Sequence, residues 1–375
     1  MRFVSAALAI LFAASPAFAA TCTVSTSGDA AEAIESAFKQ CASGGTVVFT
    51  KGATYNMKSV VSVTDVKNVK VQFEGTVNLP AYNEDFEDEK AFFYIEGDNI
   101  TWKGSGVFNG NGQGWYNAQN RNAPPLFKPK VSNSYFGGFS IKNAPRSHFS
   151  VNGCENVVFE HLTLNTVSSN SKYPAKNTDA FDVSDSTGIV IQSSSITNGD
   201  DCIAVNHGAQ NLTVTNLDCT GSHGFSVGSL GKKGNTESVS DLKFISNACH
   251  DCQNGVRIKT WPGGKGSVTG VTFDDIYLDN VENPIIVTTH YCDNQQMSYC
   301  NGADSSSLSI HDVTINNIYG TEADNVKHPV LSINCSTDTP CYDFKVTNVN
   351  ITPGDKATDN VCENLKEASS ISYCK

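Results

Sequence analysis

The chain has 375 residues, 17% of them charged, and a formal net charge of −12. A field of that sign repels nucleic acid and anionic membrane surfaces, so neither is an expected partner. It also repels an acidic polymer, so an acidic substrate would need a local cationic patch.

The chain opens on Met1-Arg2-Phe3, runs apolar and small from Val4 to Ala14, and reaches Ala17-Phe18-Ala19. A basic start, a short apolar stretch and an A-x-A ending form a secretory leader over residues 1–19. The stretch is too short to span a bilayer. Residues 20–375 are then expected to form one secreted domain.

Residues 29–42 have helical spacing. Ala31, Ile34, Phe38 and Cys41 share one face, and Asp29 stands where a helix cap belongs. After this helix the pattern becomes short apolar–x–apolar strands that usually follow Asn, Asp or Gly. Examples are Val69-Lys-Val71, Ile100-Thr-Trp102, Val157-Val-Phe159, Ile189-Val-Ile191, Leu212-Thr-Val214, Leu242-Lys-Phe244, Val271-Thr-Phe273, Val313-Thr-Ile315 and Phe344-Lys-Val346. Most intervals lie between 23 and 32 residues, as from Ile189 to Leu212 or Leu212 to Leu242. A recurring strand-only unit of this length implies a repeat architecture. It predicts an all-β fold, a right-handed parallel β-helix, with the first helix covering the open N-terminal end. A β-sandwich is the alternative, but hairpin turns between paired strands are not the dominant pattern.

The 13 cysteines fit an oxidising compartment. Sequence proximity suggests Cys22–Cys41, Cys202–Cys219, Cys292–Cys300, Cys335–Cys341 and Cys362–Cys374. Cys249 and Cys252 form C-x-x-C, and Cys154 is left over. No second ligand pair with zinc spacing follows them. Sequons stand at Asn99, Asn211, Asn334 and Asn350.

Five polar segments adjoin strand signals: Asn177-Thr-Asp179-Ala-Phe-Asp182, Asn198-Gly-Asp200-Asp201-Cys202, Gly221-Ser-His223-Gly224, Arg257-Ile-Lys259 and Tyr291. Asp179 to Asp201 and Asp201 to His223 are each 22 residues; His223 to Arg257 and Arg257 to Tyr291 are each 34. One turn of a solenoid returns the chain to the same face, so these residues are expected on adjacent rungs about 4.8 Å apart. Carboxyls crowded in this way cannot all ionise freely, and at least one should hold its proton. An acid beside a base is what glycosidic hydrolysis requires. Arg257 and Lys259 alternate with Ile258 and face the same way, as a grip for an acidic sugar.

In these motifs the sequence resembles the polygalacturonases, pectin-degrading glycoside hydrolases, over nearly all of residues 20–375. The family's Asn-Thr-Asp, Asp-Asp, Gly-His-Gly and Arg-Ile-Lys motifs correspond here to Asn177-Thr178-Asp179, Asp200-Asp201, Ser222-His223-Gly224 and Arg257-Ile258-Lys259, with Ser222 in place of a glycine. The resemblance implies that Asp200 protonates the leaving oxygen while Asp179 and Asp201 activate water, with inversion. His223 would tune the acid, Arg257 and Lys259 would bind the galacturonate carboxylate, and Asn177 and Tyr291 would contact the sugar. No metal or organic cofactor is implied. Polygalacturonate is the expected partner and a monomer the expected state.

Asn109-Gly-Asn-Gly-Gln-Gly-Trp-Tyr116 and Gly221-Ser-His-Gly-Phe-Ser-Val-Gly-Ser-Leu-Gly231 look like exo-acting members, whereas Asn177–Asp182 looks like endo-acting ones. The exo reading is favoured, with candidate end walls at residues 115–130, 168–176 and the Cys292–Cys300 loop. A pectate lyase, a rhamnogalacturonan hydrolase and a non-catalytic sugar-binding β-helix are the competing readings.

Overall fold

The computed structural model of the protein describes residues 20–292 and 305–375. The expected leader, and Cys300 with most of its loop, lie outside these residues. The described strands pair in parallel, each with the strand one coil earlier and one coil later. This is the pairing of a parallel β-helix, coiled in the right-handed sense that parallel crossovers take.

Two inward-facing columns explain why the apolar–x–apolar pieces stack. Val71, Trp102, Phe136, Phe159, Ile191, Val214, Phe244, Phe273, Ile315 and Val346 are in register, all buried. On the face that carries the site, Phe93, Phe127, Phe149, Phe181, Ile203, Phe225, Val256, Ile285 and Leu331 form the second column. The Phe149 and Phe181 rings stack at 4.9 Å, the spacing of one rung. One member of the first column, Phe136, escaped the sequence pattern because Ser134 occupies its apolar partner's place. Ser134 is buried and its Oγ accepts the Ile100 N–H at 3.0 Å.

The Asn, Asp or Gly ahead of each piece has a conformational cause. Asn68, Asn99, Asn133, Asn156, Asn211, Asp241, Asp312 and Asp343 all have positive φ, as do Gly188 and Gly270. Each stands two residues before a strand position in register with its neighbours, so every coil turns through a left-handed residue there. Asn and Asp tolerate that region better than other side chains. They also stack: the Asn99 amide donates to Asn68 Oδ1 at 2.7 Å.

The helix spans Ala30–Cys41, buries Ala31, Ile34, Phe38 and Cys41, and is capped by Asp29, whose Oδ1 accepts the Ala31 N–H at 3.0 Å. Phe38 stacks on Trp102, closing the first coils. A second helix, Gln113–Ala118, was not expected. Six residues are too few to show helical periodicity, and this one is held by burial of Trp115 and Tyr116.

Four of the expected disulfides form: Cys22–Cys41, Cys202–Cys219, Cys335–Cys341 and Cys362–Cys374. Cys249 and Cys252 pair with each other, and Cys154 is a buried free thiol. The Cys292–Cys300 pairing reaches outside the described residues.

Candidate active site

The inner columns decide which side chains face outward. Phe181, Ile203, Phe225 and Val256 point into the core, so the next residues, Asp182, Ala204, Ser226 and Arg257, stand in one outward column. The small Ala204 and Ser226 leave open floor between the acid and the guanidinium. At the N-terminal ends of these strands, tight turns present Asp179, Asp200, Asp201 and His223. Two turns require glycine. A Cβ on Gly199 would lie 1.9 Å from the Ala175 carbonyl oxygen, and one on Gly224 would lie 2.0 Å from Asn254 O, at φ +86°.

Asn177, Asp179, Asp200, Asp201, His223, Arg257, Lys259 and Tyr291 all line one cleft. The structure adds Asp182 to them. Asp201 is almost fully buried, at 2% exposure, and both its oxygens are occupied. Oδ1 accepts from Arg257 and from the Ser226 hydroxyl, and Oδ2 accepts from Lys259 Nζ at 2.7 Å. Ser226 in turn accepts from Arg257 Nε at 2.9 Å. Arg257 and Lys259 thus share the predicted face but are already engaged with a carboxylate of the protein. Asp200 Oδ2 accepts the Asn177 N–H at 3.1 Å, and its Oδ1 accepts the Asp201 N–H at 2.9 Å. His223 Nδ1 lies 3.1 Å from that same Oδ1, with its ring partly open to solvent. Tyr291 packs edge-on against Trp261, with Lys259 Nζ 5.4 Å from its ring centre.

The electrostatics separate these carboxyls. Burial alone would raise Asp201, but Arg257 and Lys259 outweigh it and hold the group down at about 2. Asp179 is pushed well above the usual carboxylate range by burial and then by the charges of Asp182, Asp200 and Asp201. Asp182 is raised to about 6, first by burial, against the opposing pull of Ser147 and Arg146. The crowding therefore does raise at least one carboxyl, as expected, and Asp179 and Asp182 are the groups it raises.

The sequence analysis missed three supporting groups. Asp182 and Ser226 were legible from the alternation in Phe181-Asp-Val183 and Phe225-Ser-Val227. His148 had no such signal. It is fully buried, its N–H donates to the Asp179 carbonyl at 2.8 Å, and its Nδ1 lies 3.1 Å from the same oxygen. A carbonyl can only accept, so Nδ1 carries the proton and Nε2 accepts from Thr166 at 2.9 Å. Burial lowers His148 to about 4, so the ring is neutral and fixes the backbone that aims Asp179.

Ligand atoms of Asp200, Asp201 and His223 lie within 4.8 Å of one another, the one such group among the described residues. Two cations already on Asp201 make this donor set a poor one for a dication.

The glycosyl hydrolases family 28 model matches residues 41–372. An exopolygalacturonase of Rhizopus delemar is 45% identical over 355 residues, covering 94% of this chain and 92% of its own length. A probable exopolygalacturonase X of Aspergillus terreus is 32% identical, covering 93% and 87%. Among solved structures, an endo-xylogalacturonan hydrolase from Aspergillus tubingensis superposes with a TM-score of 0.84 at 28% identity, covering 93% of this chain and 97% of that one. A polygalacturonase from Erwinia carotovora, at 22% identity and TM-score 0.68, shares the fold, covering 95% and 98%. With its solenoid, its cleft of carboxyls and a family match over nearly the whole described length, the chain belongs to the glycosyl hydrolases family 28.

Proposed function

We propose that the protein is a secreted, monomeric exopolygalacturonase that hydrolyses α-1,4-galacturonosyl bonds of polygalacturonate with inversion. The observation that carries this reading is a single cleft holding four carboxyls with cations beside them. The exo assignment is supported by Rhizopus delemar relatives named exopolygalacturonases at 43–45% identity. Secretion is supported by the leader-like residues 1–19 and by the disulfides.

In this reading Asp200 gives its proton to the leaving oxygen, and His223, 3.1 Å away and open to solvent, relays its replacement. Asp201, locked as an anion, orients the attacking water together with Asp179. The raised Asp179 is the more basic of these two once ionised. Arg257 and Lys259 serve twice: they hold Asp201 ionised and share their outer N–H groups with the galacturonate carboxylate. Asn177 and Tyr291 contact the sugar.

The test is a time course on polygalacturonate with reducing-end and product analysis. Monogalacturonate from the first minutes, without unsaturated products, is the expected result. A ladder of oligomers would make the enzyme endo-acting, and unsaturated products would make it a lyase. Proton NMR of the first anomer released tests inversion.

A further inference from the structure

Resting on the polygalacturonase reading, we propose that Arg121 and Lys176 form a second cationic grip that reads the carboxylate of the chain-terminal galacturonate. They stand at the opposite end of the cleft from Arg257 and Lys259.

Charge accounting leads there first. The substrate is a polyanion and the protein carries −12. The two cations at the C-terminal side of the cleft are largely committed, since Arg257 and Lys259 both bind Asp201. Arg121 and Lys176 also line the cleft. Among the described residues neither makes an ion pair or a side-chain hydrogen bond. A cation without a partner, facing a cleft otherwise dominated by acids, is available for a ligand anion.

Position supplies the second argument. Arg121 lies on the loop that feeds the strand starting at Phe127, and Lys176 on the loop that feeds the strand Phe181–Ser184. The strand Ile203–Val205 beside Asp201 comes one rung after Phe181 and three after Phe127. At about 4.8 Å per rung, Arg121 is rooted roughly 14 Å along the axis from the Asp201 coil. The carboxyls therefore lie between two cationic pairs, as needed to hold a polyanion on both sides of the bond to be cut.

The third argument is rigidity. The two loops are tied together: Ser169 N–H and Oγ both donate to Gln113 Oε1, at 2.8 and 2.9 Å, and Gln113 Nε2 donates to Ser168 Oγ at 3.1 Å. Trp115 anchors this assembly under Tyr82, ring centres 4.8 Å apart. Arg121 and Lys176 thus sit on a braced wall. A wall bearing fixed cations stops a chain and recognises its end.

The test uses three trigalacturonates: one free, one methyl-esterified only on the non-reducing terminal ring, and one only on the reducing terminal ring. The unsubstituted enzyme should cleave one of the two esters about tenfold more slowly in kcat/KM than the free trimer. R121Q/K176Q should cut the free trimer about tenfold more slowly and no longer distinguish it from that ester. Both side chains are exposed, and an unchanged melting temperature would confirm that the fold is intact. If the double variant keeps the full discrimination, or the unsubstituted enzyme shows none, the grip is wrong while the polygalacturonase reading stands. If the unsubstituted enzyme cleaves no trimer and no polymer, the underlying activity is wrong instead.

Discussion

Asp201 and Lys259 are 58 positions apart in the chain and meet at 2.7 Å, both nearly buried. With Arg257 on the other oxygen, this contact ties the outward faces of three successive coils together through the active-site cleft. The groups offered to the substrate are therefore also groups that hold the solenoid's face in register.

Lys259→Met should consequently affect both function and stability. Removing one partner of a buried pair leaves uncompensated charge, at a cost of about 2–4 kcal/mol. A drop of several degrees in Tm is expected, with a kcat/KM loss of about 100-fold or more. An unchanged Tm would mean that Arg257 alone suffices for Asp201.

Asp200→Asn separates chemistry from folding. Its partners are one backbone N–H from Asn177, one from Asp201, and His223, and an amide oxygen can still accept from the backbone donors. Loss of a general acid removes about 10²–10⁴ in rate. We expect kcat on polygalacturonate to fall by that factor with Tm within about two degrees. Near-normal release of reducing ends would remove Asp200 from the mechanism.

Stability should tilt with pH in opposite senses at two buried positions. Asp182 is raised to about 6, so its contribution is present below the unfolded value near 4 and is lost as pH rises through 6. His148 is lowered to about 4, so its contribution is present above about 6.5 and is lost as pH falls through 4. Asp201, lowered to about 2, adds a further loss between about pH 4 and 2. D182N should therefore gain stability relative to the parent at pH 7, by roughly 1–3 kcal/mol, and gain little at pH 4. H148Q should show a shallower loss between pH 6.5 and 4, on top of a uniform cost for the altered hydrogen bonds to Thr166 and Asp179. Denaturant midpoints at pH 4, 5.5 and 7 check both. Parallel profiles for parent and variants would contradict the assignments.

Gly224→Ala should disable the site by moving the backbone. The added Cβ would lie 2.0 Å from Asn254 O in a residue at φ +86°, so the turn carrying His223 must shift. A destabilisation of at least about 2 kcal/mol is expected, with a larger loss of activity than His223→Gln causes. Equal activity in the two variants would show that the turn relaxes without moving its neighbours.

The sequence by itself determined the solenoid. The inward residues and the left-handed Asn, Asp and Gly are set by local rules, side-chain alternation and φ preference, and these are visible in Ile189-Val-Ile191 or at Asn211 without a third dimension. It also determined that Asp179, Asp201, His223, Arg257 and Tyr291 return to one face, because 22 and 34 residues each make one coil. Only the tertiary structure decided how the charges are shared. Whether Arg257 and Lys259 meet a substrate or Asp201 depends on ångström distances across Ser226. Which carboxyl is raised depends on burial summed over several coils. His148 and the wall carrying Arg121 and Lys176 were invisible for the same reason: one is a buried ring whose partners are Asp179 and Thr166, and the other is joined only by Gln113 reaching Ser168 and Ser169, contacts that no local pattern encodes.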